Sequence, residues 1–224
     1  MRRFDLVAFD VDGTLVEHPE EKTVWEVLNL RFTGDDGVNR ERFEAYEAGR
    51  LSYPDWVSLD VSGWRDAGAT RSEMVSSLGS LRLVSGARET LSALREKGIH
   101  LAVISGTLDL LLQTLLPDHP FSEVYCNRIQ FDKEGRIVAW SPTPFDMNGK
   151  EVALRAIAMR EEIPLSRCAF VGDSSNDVWI AREAGFTVAF NPKNRELEEA
   201  ADVVVRSPDI QAILPHLLQG GRNP

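Results

Sequence analysis

Three segments of the sequence share one design, an apolar run with a polar side chain at or just beyond its carboxyl end, and this design constrains the fold most. The segments are Leu6–Phe9 followed by Asp10, His100–Ser105 ending at Ser105, and Cys168–Val171 followed by Gly172 and Asp173. Short apolar runs of this kind are typical of parallel strands buried on both faces. Ligands of parallel sheets bind beyond the carboxyl ends of the strands. We therefore expect the three polar residues to lie in one site.

Strand-like and helix-like patterns alternate from residue 81 onward, which predicts a mostly parallel sheet with helices on both faces. Residues 17 to about 80 have a polar, helix-like pattern with turn signals at Gly49 and Gly68. We predict an α/β, Rossmann-like core of residues 1–15 and 81–224. A small helical cap of residues 16–80 would be inserted after the first strand. Local signals predict a helix capped by Ser85, a hairpin around 132–135 and a final helix broken near Pro215.

The overall charge of the 224-residue chain limits its partners. The formal net charge is −10 and the sequence pI is about 5.0. An acidic surface argues against nucleic acid and anionic membranes as partners. No stretch approaches the ~18 apolar residues of a membrane-spanning helix, and the N-terminus does not resemble a secretory signal. We expect a cytoplasmic protein; the sequence does not indicate its oligomeric state.

The segment Asp10–Thr14 (DVDGT) places two carboxylates after a strand and before a glycine turn. Two adjacent carboxylates are costly to keep ionised unless a cation lies between them. A nucleophile with a nearby acid or base is the minimum for covalent group transfer. A calcium-binding loop is disfavoured because Leu15 occupies the position where that loop needs glycine. A simple turn after a strand remains an alternative for this segment taken alone.

Four further residues extend this candidate site, and all but Asp173 have a ready structural alternative. Asp173 repeats the strand-end acid, whereas Asp177 is equally suited to the first turn of a helix. Ser105 would offer a hydroxyl to a phosphoryl oxygen, or would cap the next helix. Lys150, at a helix start, is electrostatically unfavourable unless an anion is close. Four carboxylates (Asp10, Asp12, Asp173, Asp177) against one lysine require a hard divalent cation, preferably Mg²⁺, before a phosphate can enter.

Together these segments resemble the haloacid dehalogenase superfamily of aspartate-nucleophile phosphatases, and within it the phosphoserine phosphatase group. The matching segments occur in the order of the family: FDVDGT (Phe9–Thr14), VISGT (Val103–Thr107), Lys150 and GDSSND (Gly172–Asp177). The resemblance covers the predicted core. It implies a Mg²⁺-dependent phosphomonoester hydrolase that forms an aspartyl-phosphate and acts on a small phosphorylated metabolite.

The resemblance also implies a role for each matching residue. Asp10 would attack phosphorus, and Asp12 would protonate the leaving alkoxide and then activate water. The metal would be held by Asp10, the backbone carbonyl of Asp12 and Asp173, with Asp177 behind them. The phosphoryl oxygens would be bound by Ser105, Gly106 and Lys150, with Asn176 nearby.

The cap segment departs from the pattern of the phosphoserine-binding relatives, which use a cap carboxylate and a cap arginine. Glu17 or Glu20 would supply the acid, but residues 51–64 contain no basic side chain. Arg50 and Arg65 flank that segment and are the candidate cations, and Trp56 is a candidate substrate contact. This departure disfavours phosphoserine as the substrate. Two other activities remain as alternatives, a phosphotransferase or mutase of the same superfamily and a non-catalytic sensor of phosphorylated ligands.

Overall fold

A seven-stranded sheet forms the centre of the protein in this computed structural model, which describes residues 3–35 and 37–218. The strands are β1 (Leu6–Phe9), β2 (Val16–Glu17), β3 (Arg82–Leu83), β4 (His100–Leu108), β5 (Glu123–Phe131), β6 (Ile137–Ser141), β7 (Cys168–Gly172), β8 (Phe186–Phe190) and β9 (Val203–Val205). The α-helices are α1 (Val24–Thr33), α2 (Gly37–Glu47), α3 (Tyr53–Asp66), α4 (Arg71–Ser77), α5 (Ala87–Glu96), α6 (Asp109–Leu115), α7 (Lys150–Arg160), α8 (Val178–Glu183), α9 (Arg195–Ala200) and α10 (Leu214–Leu218).

The strand order of the large sheet is β6-β5-β4-β1-β7-β8-β9. All neighbours are parallel except β5 and β6, which form the predicted antiparallel hairpin. Strand β1 lies between β4 and β7, so the carboxyl ends of the three predicted strands meet at the middle of one edge. The prediction of an α/β parallel sheet is confirmed.

Both faces of β1 are covered, which explains its continuous apolar sequence. Leu6 and Ala8 belong to a buried cluster with Leu154 of α7 on one face. Val7 and Phe9 belong to the main cluster on the other face. The alternation of these side chains follows from the two-residue period of a strand, and helices therefore pack on both faces as expected.

A short antiparallel pair, in which Val16 of β2 pairs with Leu83 of β3, brings together the two ends of the segment predicted to form the cap (residues 16–80, here called the cap segment). Between these strands lie α1 to α4. Thr23 and Thr70 form capping boxes at the starts of α1 and α4, and Ser52 caps α3. Such caps satisfy the free N–H groups of a helix start. None of the described helices is long and apolar enough to cross a bilayer.

Two local predictions were wrong, and a third was confirmed. Helix α5 is preceded by Gly86 at φ 75°, not capped by Ser85, because only the left-handed turn at glycine brings the chain into the helix. Strand β4 continues past Ser105 to Leu108 through an irregularity in its pairing with β5. The predicted break near Pro215 is confirmed, because the last helical stretch changes there from a 3-10 helix (Ile210–Ile213) to α10, and the proline lies in the first turn of α10, where proline is tolerated.

Candidate active site

The loop after β1 places Asp10 at the centre of the sheet edge. Asp10 is 4% exposed, and its N–H donates to the carbonyl of Val171 at 2.9 Å. The loop closes tightly because the N–H groups of Thr14, Leu15 and Val16 all reach the carbonyl of Val11 at 2.9–3.1 Å. Asp10, the nucleophile predicted from sequence, is therefore held by its own hydrogen bond to Val171 and by the hydrogen-bonded loop that follows it.

Lys150, the first residue of α7, is fully buried against two of the predicted carboxylates. Its Nζ donates to Asp10 Oδ1 at 2.9 Å and to Asp177 Oδ1 at 2.6 Å. Burial alone lowers the pKa of a lysine, but Asp10 and Asp177 outweigh it and hold the pKa of Lys150 well above its usual range. The ammonium therefore stays charged, and its two acid partners explain why a lysine begins this helix.

Asp173 and Asp177 complete a carboxylate cluster behind Asp10. One oxygen from each of Asp10, Asp173 and Asp177 lies within 4.8 Å of the others. Burial, the largest cause, raises the pKa of Asp173 to about 7 and that of Asp177 to about 6, with a further contribution from the charge of Asp10. The Oδ2 atom of Asp173 is fully buried. Such a set of oxygen donors fits a hard divalent cation.

Lys193 was missed by the sequence analysis. It follows β8, and its Nζ lies 2.9 Å from Asp173 Oδ2, as an ion pair whose lysine side chain is 45% exposed. Its backbone N–H donates to the carbonyl of Asp173 at 2.8 Å. Asp173 raises the pKa of Lys193 against the opposing effect of burial. Lys193 lies three residues beyond the end of β8, so the available signal was weaker than the strand-end positions that marked Asp10 and Asp173.

A cavity of about 330 Å³ opens above this cluster, between the sheet edge and the cap segment. Its wall comprises Asp10, Asp12, Glu21, Thr23, Trp25, Asn39, Tyr53, Trp56, Val57, Asp60, Ser105, Gly106, Thr107, Asp146, Met147, Ser174, Asn176 and Lys193. The predicted residues Ser105, Gly106 and Asn176 thus share the cavity with Asp10 and Asp12. Lys150, Asp173 and Asp177 lie behind this wall with fully buried side chains.

Asp12 is held at the cavity by the start of α1. Its Oδ1 accepts from the N–H of Val24 at 3.1 Å. The pKa of Asp12 is raised to about 6, mainly by burial and also by the charge of Asp10, against the lowering effect of hydrogen bonds with Thr107 and Val24. A carboxyl group with a pKa near neutrality suits proton transfer in both directions.

The structure places one of the predicted substrate-contacting residues of the cap segment in the cavity wall and the others outside it. Trp56 is in the cavity wall, 8% exposed. Glu17, however, pairs with Arg82 at 2.9 Å where β2 meets β3, and Glu20 pairs with Lys22 at 3.1 Å. Arg50 is exposed at the end of α2. These three side chains are outside the described cavity wall because local pairs and the turn after α2 direct them elsewhere.

Asp146 is a second residue that sequence reasoning missed. It is 8% exposed, and its Oδ1 accepts from Asn176 Nδ2 at 2.8 Å. Burial raises its pKa, and the charge of Lys150 opposes that rise. The carboxylate lies directly against the Cα of Gly106, where an added Cβ would overlap it. No sequence signal distinguished this aspartate, since the segment from β6 to α7 has no periodic pattern.

Replacing Gly13 by Ala is expected to destabilise the protein more than the same change at Gly34. Both glycines have left-handed backbone, with φ of 89° and 76°, which costs an L-residue about 1–2 kcal/mol. Only at Gly13 would the new Cβ also overlap a carboxylate, that of Asp173; at Gly34 nothing lies within 4 Å. We expect urea unfolding to show at least about 1 kcal/mol of additional loss for Gly13→Ala, as for overpacked sites. Equal losses would contradict this arrangement of the loop.

Comparisons with known proteins agree with this architecture. The phosphoserine phosphatase SerB2 of Mycobacterium tuberculosis is 31% identical over 93% of this chain, which spans 49% of that protein. The phosphoserine phosphatase of Methanocaldococcus jannaschii is 28% identical over 95% of this chain and 97% of its own length. Among solved structures, a phospho-aspartyl intermediate analogue of phosphoserine phosphatase superposes with a TM-score of 0.75 at 25% identity, over 96% of this chain and 100% of that one.

The family comparison extends over most of the chain. Residues 4–185 match the haloacid dehalogenase-like hydrolases. This range includes β1, the cap segment, α7 and the strand end that carries Asp173. With this coverage and with the same fold in the solved relatives, the chain belongs to the haloacid dehalogenase-like hydrolase family.

Proposed function

We propose that this protein hydrolyses the phosphate monoester of a small metabolite through an aspartyl-phosphate on Asp10. The observation that carries the proposal is the charge arrangement around Asp10. Its carboxylate lies in the cavity wall, Lys150 donates a hydrogen bond to it at 2.9 Å, and oxygens of two further carboxylates lie within 4.8 Å. Phosphoryl transfer depends mainly on positioning and on neutralising charge, and this arrangement provides both. The named activities of the relatives support the same assignment.

In the proposed first step, a carboxylate oxygen of Asp10 attacks phosphorus and the ester P–O bond breaks. Asp12 gives its proton to the leaving alkoxide. In the second step Asp12, now ionised, takes a proton from water, whose oxygen attacks phosphorus and releases inorganic phosphate. The carboxylate of Asp10 and the acid form of Asp12 are thereby restored. The pKa of Asp12 near 6 is matched to this alternation.

The phosphoryl oxygens would be bound by groups at the cavity floor. Ser105 is 1% exposed, and its Oγ accepts from the N–H of Thr107 at 3.2 Å, so the hydroxyl proton is left for a ligand. Gly106 and Asn176 line the same floor. We propose that Lys150 acts from behind, by keeping Asp10 ionised and oriented. A small cap, formed by residues 16–80, would cover the leaving group.

We propose Mg²⁺ as the cofactor, held by Asp10, the backbone carbonyl of Asp12 and Asp173, with Asp177 supporting them. When bound, the cation neutralises charge on the phosphoryl group. The donor set consists of oxygen ligands, the type that Mg²⁺ prefers over softer metals.

The proposal predicts that phosphate release from a panel of phosphomonoesters, including p-nitrophenyl phosphate, stops after chelation and returns with Mg²⁺. The thermal midpoint of the protein should also rise with Mg²⁺, because a ligand that binds only the folded state stabilises it. Full turnover after complete chelation would contradict the metal assignment.

Product analysis distinguishes hydrolysis from transfer. A hydrolase releases one phosphate for each alcohol formed, even when other alcohols are present as acceptors. A phosphotransferase would instead produce a second phosphate ester and less free phosphate. Binding of esters with no turnover across the panel would favour the sensor hypothesis.

A further inference from the structure

Part of the cavity wall belongs to the cap segment. Its wall residues there are Glu21, Trp25, Tyr53, Trp56 and Asp60, with smaller contributions from Thr23, Asn39 and Val57. Two carboxylates and three aromatic rings thus surround the space next to the phosphate position. The chemistry of this region differs from that of the floor, where the phosphate charge is neutralised.

Asp60 has an incompletely paired acceptor in this wall. It is 1% exposed on α3, and its Oδ1 pairs with Arg42 of α2. Burial raises the pKa of Asp60, and Arg42 and hydrogen bonding by Asn29 and Trp56 oppose that rise, but Oδ2 has no partner with good hydrogen-bond geometry among the described residues. A donor on a ligand would therefore complete a pairing that the neighbouring side chains satisfy only in part.

Glu21 adds a second negative charge to the wall. Its side chain forms no ion pair with any described residue. Its backbone adopts the left-handed conformation, with a φ of 58°. Non-glycine residues in this region cost free energy and are often found where a ligand is held. Glu21 is exposed at the cavity entrance, so its charge remains free for a ligand.

The three aromatic residues are fixed in place by hydrogen bonds and ring contacts. Trp25 Nε1 donates to the carbonyl of Gly106 at 2.9 Å. The Tyr53 hydroxyl accepts from Asn127 Nδ2 at 2.7 Å, and the Tyr53 ring packs edge-on against Trp56. Rigid aromatic rings beside carboxylates are a recurrent environment for ammonium groups.

Positive charge is scarce in the same space. Among the described wall residues Lys193 is the cation, and it is paired with Asp173 at the floor. Arg42 is engaged by Asp60 from outside the wall. A carboxylate on the leaving group would therefore lie next to the carboxylates of the wall, with no unpaired cation among the described wall residues to bind it. Like charges at close range repel each other, so such a leaving group is disfavoured.

We propose that the preferred substrate is the phosphate monoester of an amino alcohol that lacks a carboxylate, with its ammonium group bound by Glu21, Asp60 and the aromatic wall. This inference rests on the proposed phosphatase function. It assigns Glu21 and Asp60 as specificity-determining residues, in place of the cap acids and the cap arginine expected from sequence.

The test compares four phosphate esters that differ in one substituent. They are phosphoethanolamine (ammonium), 2-hydroxyethyl phosphate (neutral), phosphoglycolate (carboxylate) and phosphoserine (both). We expect kcat/KM for phosphoethanolamine to exceed that of each other ester by about tenfold or more, the effect of one desolvated ammonium contact. Higher kcat/KM for phosphoserine or phosphoglycolate would overturn the inference, as would equal values for phosphoethanolamine and 2-hydroxyethyl phosphate.

A substitution of Glu21 provides a second test of the proposal. Glu21→Gln removes one charge from an exposed position, so the protein should still fold, which a melting curve checks. We expect the ratio of kcat/KM for phosphoethanolamine over 2-hydroxyethyl phosphate to fall about three- to tenfold. Glu44→Gln, an exposed cap residue outside the described wall, is the matched control and should keep the wild-type ratio. An unchanged ratio in Glu21→Gln would overturn the role of Glu21.

The outcomes separate the inference from the proposed function. Hydrolysis of p-nitrophenyl phosphate with a preference for acidic leaving groups would refute the amino-alcohol assignment and leave the phosphatase intact. Absence of Mg²⁺-dependent hydrolysis of every ester would refute both.

Discussion

Phosphate release should fall by more than about a thousandfold when Asp10 is replaced by Asn, as expected for loss of a covalent nucleophile. Asn has nearly the same shape as Asp, but its side-chain amide cannot form the acyl-phosphate. It also removes the charge that Lys150 neutralises at 2.9 Å. The measurement is phosphate release from p-nitrophenyl phosphate with saturating Mg²⁺.

The control for this variant is Asp118→Asn, which makes the same change at an exposed position outside the cavity. It should retain wild-type turnover. Rapid-quench labelling with a ³²P-labelled ester should show a protein-bound phosphate in the wild type and none in Asp10→Asn. Turnover near the wild-type rate in Asp10→Asn would rule out the covalent mechanism.

The second large effect is expected for Lys150→Met. The lysine side chain is fully buried and bridges Asp10 and Asp177, which are themselves buried. Removing one partner of such a group leaves uncompensated charge in the interior. We expect the free energy of unfolding to fall by about 3–5 kcal/mol. Activity should be lost as well, because Asp10 would no longer be oriented.

Urea denaturation measures this loss, with Lys97→Met as the control. Lys97 is exposed after α5, so its substitution should change the free energy of unfolding by less than about 0.5 kcal/mol. A Lys150→Met protein within about 1 kcal/mol of the wild type would show that the bridge stabilises little.

The central strands and the grouping of residues at their ends were predictable because they depend on local sequence. The apolar runs before Asp10 and Asp173 indicate buried parallel strands, and the topology of such sheets brings their ends together. The structure places oxygens of these two aspartates within 4.8 Å, together with Asp177. The roles of these residues and the division into core and cap remain predictions.

The cavity wall was less predictable, because it depends on how the cap segment packs on the core. Glu17, Glu20 and Glu21 lie close together in sequence, and only a specific chain path brings Glu21 to the cavity. Asp60 lies on a helix whose pattern indicates burial but not which partner it meets. The pairing with Arg42, eighteen residues away, is set by the packing of α2 against α3.

The order β4-β1-β7 also has a consequence for the synthesis of the chain. Asp10 is made early, but its contacts with Lys150 and its neighbour Asp173 join positions separated by 140 and 163 residues. A nascent or truncated chain that ends before β7 therefore carries the first motif without Asp173 and Asp177. Ligand affinity should appear only when the sheet closes around its middle strand, and it would then report on completed folding of the whole core.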